Sequence, residues 1–150
     1  MEVHWKIKAF SDLKALELYQ ILQLRIDVFM LEQTCLYPEC DNKDLLAAHI
    51  FGITDDQVVA YARLIPPGVS YSEPSIGRVV VHKDYRAPGL GRILMLQAIS
   101  YLQEQGIHYA SIRISAQLYL QRFYENLGFE RVSDMYLEDE IPHIEMLRTK

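Results

Sequence analysis

The chain lacks most of what would make a protein secreted, membrane-spanning or metal-built. It has only two cysteines in 150 residues, Cys35 and Cys40. A single Cys-x4-Cys pair without a partner cluster falls short of the roughly four ligands that structural zinc takes. The two therefore read as unpaired thiols. No apolar run approaches the ~20 residues needed to cross a bilayer, so a membrane partner is not expected. The opening stretch, MEVHWKIKAF, lacks the apolar core of a secretory leader, and a cytoplasmic location is expected.

Positive charge is also scarce. Fifteen Lys and Arg stand against 20 Asp and Glu, a net charge of −5. A general nucleic-acid binder needs a basic face to neutralise phosphates, so no nucleic-acid partner is expected. The exception is a local basic group at Lys83, Arg86 and Arg92. His4, His49, His82 and His108 fall in strands at unrelated spacing, and no metal site is expected. Repeats, linkers and low-complexity tracts are missing, which makes residues 1–150 one domain.

Half of the residues are apolar, enough for one well-filled core. Alternation over 3–9 predicts an opening strand. Ser11 reads as a helix N-cap, and Leu13, Leu16, Tyr19, Leu22 and Ile26 give a helical stripe running to about Val28. A short second helix and a loop should fill Phe29 to Asn42. Residues 47–54 and 57–65 form a hairpin about Asp55-Asp56. A strand over 75–82 has a Val79-Val80-Val81 centre suited to burial on both faces. A helix over 91–105 is stopped by Gly106. A strand over 108–115 and a helix over 117–127, ended by Gly128, come next. Strands over 129–134 and 142–148 close the chain. The strand–helix–strand unit from 75 to 115 implies one parallel pair. The fold class is α/β (α+β), with a mixed sheet and packed helices.

The most informative stretch leaves the valine strand and enters a helix through Arg86-Ala87-Pro88-Gly89-Leu90-Gly91-Arg92. Glycine lets backbone approach a ligand without a Cβ in the way. The first amides of a helix have no partner within it, and with the helix dipole they make an anion site. A pyrophosphate suits such a site, with Arg86 or Arg92 adding charge. The spacing matches neither Gly-x4-Gly-Lys-Ser/Thr nor Gly-x-Gly-x-x-Gly.

This loop resembles the coenzyme A loop, Arg/Gln-x-x-Gly-x-Gly/Ala, of the GNAT superfamily of N-acetyltransferases. The stretch Gln117 to Phe129, with Tyr124-Glu125-Asn126-Leu127-Gly128-Phe129, is similar to the family's later helix ending in Tyr-x-x-x-Gly-Phe. Further segments resemble the ElaA branch. They are Leu22 to Arg25 with Val28-Phe29 and Glu32-Gln33, Ala60 to Leu64, Ile76 to Val81, and Glu138 to Ile144. The resemblance spans nearly the whole chain.

It implies a mostly antiparallel central sheet with a splayed parallel strand pair, here 75–82 and 108–115, flanked by about four helices. It implies acetyl-CoA as acyl-donor cosubstrate and no metal. Pantetheine would lie along Val79, Val80 and Val81, with Gln117 and Tyr124 nearby. The diphosphate would sit on residues 86–92. A primary amine of a small molecule or peptide would attack the thioester directly. Two departures stand out. Ala87 replaces a glycine and Pro88 offers no amide hydrogen, so the cradle loses a donor. Glu140 stands where the branch has a glycine.

Tyr124 matches the tyrosine that approaches the sulfur, and a phenol of pKa about 10 suits a thiolate of about 8.5. The competing reading is a core tyrosine; Tyr119 and Tyr136 read as structural. For the base, no carboxylate lies on 75–82, which leaves Glu32 and His143. Arg63 and Arg78 on adjacent strands suit a carboxylate on the acceptor, or else internal ion pairs with Glu32 or Asp44. Tyr37, Tyr61, Tyr71 and Tyr85 are candidates to line an acceptor cleft. The alternative function is a non-catalytic coenzyme A-binding sensor or scaffold on the same fold. A homodimer would cover the sheet edges.

Overall fold

A computed structural model describes residues 2–86, 89–105 and 111–149. Ala87, Pro88, the Gly106 helix stop and the first part of the 108–115 strand lie outside the described residues.

Strands β1 (His4–Ala9), β2 (Ala48–Thr54), β3 (Gln57–Ile65) and β4 (Ser75–Val81) pair in that order, each antiparallel to the next. The β2–β3 turn places Asp55 at φ 52 and Asp56 at φ 58, the two successive left-handed residues that a tight hairpin uses. A second sheet is built on β8 (Ile141–Thr149). It pairs antiparallel with β5 (Ser111–Gln117), β6 (Glu130–Arg131) and β7 (Tyr136–Glu138). The expected strand over 129–134 shortens to β6, and β7 has no counterpart in the sequence reading.

Between the sheets, β4 and β5 approach side by side without forming a ladder. Among the described residues the backbone bond at this seam runs from the Arg113 amide to the Pro74 carbonyl, 3.1 Å. Beyond it the strands part.

Among the described residues three α-helices pack on this frame: α1 (Ala15–Arg25), α2 (Leu90–Glu104) and α3 (Gln121–Glu125). β3 is buried almost throughout because both of its faces are covered. Ala60, Ala62 and Leu64 meet Leu94, Met95, Ala98 and Leu102 of α2. Val58 and Tyr61 meet Ile21 and Leu24 of α1. The α2 cluster continues into Ile112, Ile114, Ile144 and Met146, so one core holds the two sheets together. Gly128, at φ +93, ends the α3 region as expected.

Two features of the first helix depart from the sequence reading. Ser11 sits in a 3-10 turn, Phe10–Asp12, and α1 starts behind Lys14, whose amide donates to Glu17 Oε1 at 2.9 Å. The buried stripe is Glu17, Ile21, Leu24, Arg25 and Val28, while Leu16 and Tyr19 face solvent at 66% and 69% exposure. Apolar spacing picked the wrong face because the inward face carries two charges that are paired inside. Lys8 and Lys6 donate to Glu17. Partial burial would raise the Glu17 carboxyl, but these bonds and the Lys14 amide hold it at about 2.

Arg25 is fully buried and belongs to a group of six charges. Its Nε donates to Glu39 Oε2 at 2.6 Å and its Nη1 to Asp44 Oδ1 at 2.8 Å. Arg63 donates to Asp41 at 2.8 and 3.0 Å and to Asp44 at 3.1 Å. Arg78 Nε donates to both oxygens of Glu39 at 3.0 and 3.1 Å. Three guanidinium groups thus balance three carboxylates. They tie the 39–44 loop to α1, β3 and β4. Burial pushes the Asp44 carboxyl up, but Arg25 and Arg63 outweigh it and hold it below its ordinary range.

Removing one member leaves its partners charged and dry. Arg25→Met should lower unfolding free energy by about 3–5 kcal/mol, read as an earlier midpoint in chemical denaturation. A loss under about 1 kcal/mol would mean that the group is hydrated.

Candidate functional site

After Arg25 the helix widens. Over Ile26–Glu32 the amides reach five residues back, as in Gln33 to Val28 and Cys35 to Met30, both 3.1 Å. This π-helical segment replaces the short separate helix expected there. Widening rotates the following side chains, and such segments recur at functional sites. Here it brings Phe29, Glu32 and Gln33 to the seam between β4 and β5.

A cleft of about 730 Å³ opens at that seam. Val79, Val80, Val81, Arg86, Gly89, Leu90, Gly91, Arg92, Gln117 and Tyr124 all line it. The structure therefore brings together every described residue that the sequence reading assigned to the coenzyme. Val79 and Val81 are only partly buried. The strand that reads as doubly covered has one face on the cleft. Tyr119, expected to be structural, also lines the cleft and is 74% exposed.

The loop enters α2 through Gly89 at φ +90. A side chain in this left-handed position costs about 1–2 kcal/mol, which explains the glycine without any ligand. Arg86 is folded back over the strand end. Its Nε donates to the Val81 carbonyl at 2.9 Å, and its two Nη groups grip Glu32 at 2.8 and 3.0 Å. The bond from Arg86 outweighs the upward push of partial burial and lowers the Glu32 carboxyl. Both side chains are exposed, so this pair contributes at most about 1 kcal/mol, and an incoming anion can displace it cheaply.

A smaller cleft of about 250 Å³ adjoins the first. Phe29, Gln33, Val79, Gln117, Leu120 and Tyr124 line both. Gln33 and Gln117 face each other across the junction with amide contacts of 3.4 and 3.5 Å. Tyr37, Tyr71, Arg63, Arg78, Glu138, Asp139 and His143 line the smaller cleft alone.

At the junction β4 is irregular. Val80 pairs with Tyr61 and Gly77 with Arg63, so Arg78 and Val79 together oppose Ala62. This is a β-bulge, which takes a residue out of the ladder and re-aims the strand. Arg78 adopts φ +50, a left-handed conformation that a bulky residue seldom takes. The side-chain pattern of Ile76-Gly77-Arg78-Val79 does not announce the bulge.

The two candidate bases part company. Glu32 lies on the larger cleft, bound to the loop arginine. His143 is buried on the smaller one. Its Nδ1 lies 2.7 Å from the Ile141 carbonyl, which can only accept, so that nitrogen carries a hydrogen. Nε2 is 3.5 Å from Glu138 Oε2, and the ring stacks on Tyr136. Tyr136, expected to be merely structural, bonds Ser115 Oγ at 2.5 Å, and Ser115 also donates to Glu138.

Tyr124 is buried, and its desolvation pushes the phenol above its ordinary range, keeping it protonated. The arginines need correcting as carboxylate receptors. Arg63 is 2% exposed, and its Nη groups are spent on Asp41 and Asp44, while Arg78 is held by Glu39. Tyr61 leaves the acceptor set as well. It is fully buried, and its hydroxyl lies 2.6 Å from His49 Nδ1. Tyr85 packs against the core. Cys35 and Cys40 are free thiols, as read.

Comparison with known proteins agrees with this geometry. The family model described as acetyltransferase (GNAT) domain matches residues 28–150. A UPF0039 protein of Schizosaccharomyces pombe is 45% identical over 140 residues, covering 93% of this chain and 92% of its own. The structure of an acyl-CoA N-acyltransferase from Pseudomonas aeruginosa superposes with a TM-score of 0.93 at 40% identity, covering 99% and 100% of the two chains. That of Escherichia coli ElaA gives 0.91 at 36%, covering 98% and 99%. The chain therefore belongs to the GNAT acetyltransferase family as an ElaA-like member.

Proposed function

We propose that this protein transfers an acetyl group from acetyl-CoA to a primary amine by direct attack, without an acyl-enzyme. The observation that carries the reading is that two clefts, one lined by the loop and one by the His143 imidazole, meet at Tyr124. The larger cleft would take coenzyme A. Its diphosphate would lie against the first amides of α2 and Arg86, with the pantetheine along β4. The amine would enter through the smaller cleft, between Tyr37 and Tyr71.

An alkylammonium of pKa about 10.4 arrives protonated and must lose a proton before it can attack. His143 Nε2 takes that proton and Glu138 faces it from the solvent side. Glu32 is a poor base because Arg86 stabilises its charged form. The amine nitrogen then bonds to the thioester carbon, and the carbon–sulfur bond breaks. Tyr124 passes its hydroxyl proton to the departing thiolate. The nitrogen of the intermediate, now strongly acidic, returns one to the phenolate. A phenol less acidic than the thiol makes full transfer uphill until that return, so Tyr124 acts chiefly as a hydrogen-bond donor to the forming thiolate.

Three expectations follow from these roles. Tyr124→Phe should lower kcat about 10²-fold or more, while acetyl-CoA affinity stays within about twofold. Unchanged turnover would remove Tyr124 from the chemistry. His143→Gln should lower kcat/KM for the amine about 10²-fold, and Glu32→Gln no more than a few-fold. The reverse order would make Glu32 the base. Gly89→Val should weaken acetyl-CoA binding at least about ten-fold in calorimetry, through both strain and a side chain over the diphosphate seat. Wild-type affinity would reduce the loop to a turn. Thiol release from acetyl-CoA across a panel of polyamines, amino acids and peptides tests the activity itself. Tight binding with no amine-dependent release would leave a coenzyme A sensor.

A further inference from the structure

The bulge in β4 has no local cause. Arg78 has a Cβ and pays for φ +50, with glycine the residue that would sit there freely. Something outside the strand must hold it. Its guanidinium lies 5.4 Å over the Tyr37 ring and donates through Nε to both oxygens of Glu39. Glu39 is itself 5% exposed and fixed three further ways. It accepts from Arg25 Nε at 2.6 Å and from the Tyr37 hydroxyl at 2.7 Å, and its own carbonyl accepts from Arg25 Nη2 at 3.3 Å.

A rigid carboxylate thus grips a side chain whose backbone is held at positive φ inside a strand. The next residue, Val79, lines both clefts, as Tyr124 does. The bulge is therefore where the thioester and the amine would have to meet.

We propose that Glu39 is a positioning residue: by gripping Arg78 it holds the β4 bulge that presents Val79 backbone to the reacting groups. This rests on the acyl-transfer reading of the two clefts. It assigns Arg78 an internal role, in place of acceptor binding. Glu39 touches no substrate, and its effect passes through the conformation of one residue.

The test compares Arg78→Ala with Arg78→Gly. Both remove the guanidinium, but only alanine keeps the cost of positive φ. Arg78→Ala should lower kcat at least about ten-fold and Arg78→Gly only about threefold, with KM for acetyl-CoA unchanged in both. Glu39→Gln should lower kcat about ten-fold in the wild-type background and add nothing in the Arg78→Gly background. Equal losses for the alanine and glycine variants would show that the guanidinium serves the acceptor directly. An equal cost of Glu39→Gln in both backgrounds would likewise overturn the proposal. Should the wild type acetylate no amine, the transfer reading fails, and the bulge is read separately from the Val79 amide resonance. That resonance should overlay on wild type in Arg78→Gly and move in Arg78→Ala. Overlay in both, or displacement in both, would sink the positioning role.

Discussion

Two neighbouring strands that touch and then separate organise this molecule. β4 and β5 are bridged at Pro74 and Arg113 and diverge after that, although each is well paired on its far side. Backbone amides and carbonyls along the gap need partners, and no strand supplies them. The core runs beneath the gap without a break, from Ala60 and Ala62 through α2 to Ile114 and Ile144. The opening is therefore a groove on a continuous interior, and its walls cannot drift apart.

Much of this was legible in the residues. The β2–β3 hairpin and β4 fall within a residue of their expected bounds, because alternation and turn chemistry are local signals. The loop into α2 was legible because Gly89 must adopt a conformation that other residues resist. What escaped reading depends on distant partners. The inward face of α1 carries Glu17 and Arg25, whose burial makes sense only once Lys8, Glu39 and Asp44 are in place. Spacing alone favoured Leu16 and Tyr19. The bulge at Arg78 and the π-helical turn share that property. Each is a local irregularity that simple periodicity does not encode, and each sits on a cleft. The candidate coenzyme site was thus more readable than the acceptor side. The first relies on backbone shape, which glycine advertises, and the second on which of several polar side chains remain free.

The six-charge group decides that last question. With Arg63 and Arg78 neutralised, the smaller cleft keeps Glu138, Asp139 and His143 as its less engaged polar groups. Charge that looked like recognition from the sequence serves instead to fasten the 39–44 loop over the sheet.

The arrangement of the second sheet bears on how the chain reaches this state. Among the described residues β5, β6 and β7 each pair with β8 and with no other strand. The first four strands pair in chain order, whereas this half must wait for β8 to emerge. On a ribosome, the wall bearing Tyr124 and His143 would be the last to form. A nascent chain that has emerged through β5 but not yet β8 would hold Ile112 and Ile114 on a strand still lacking its ladder partner.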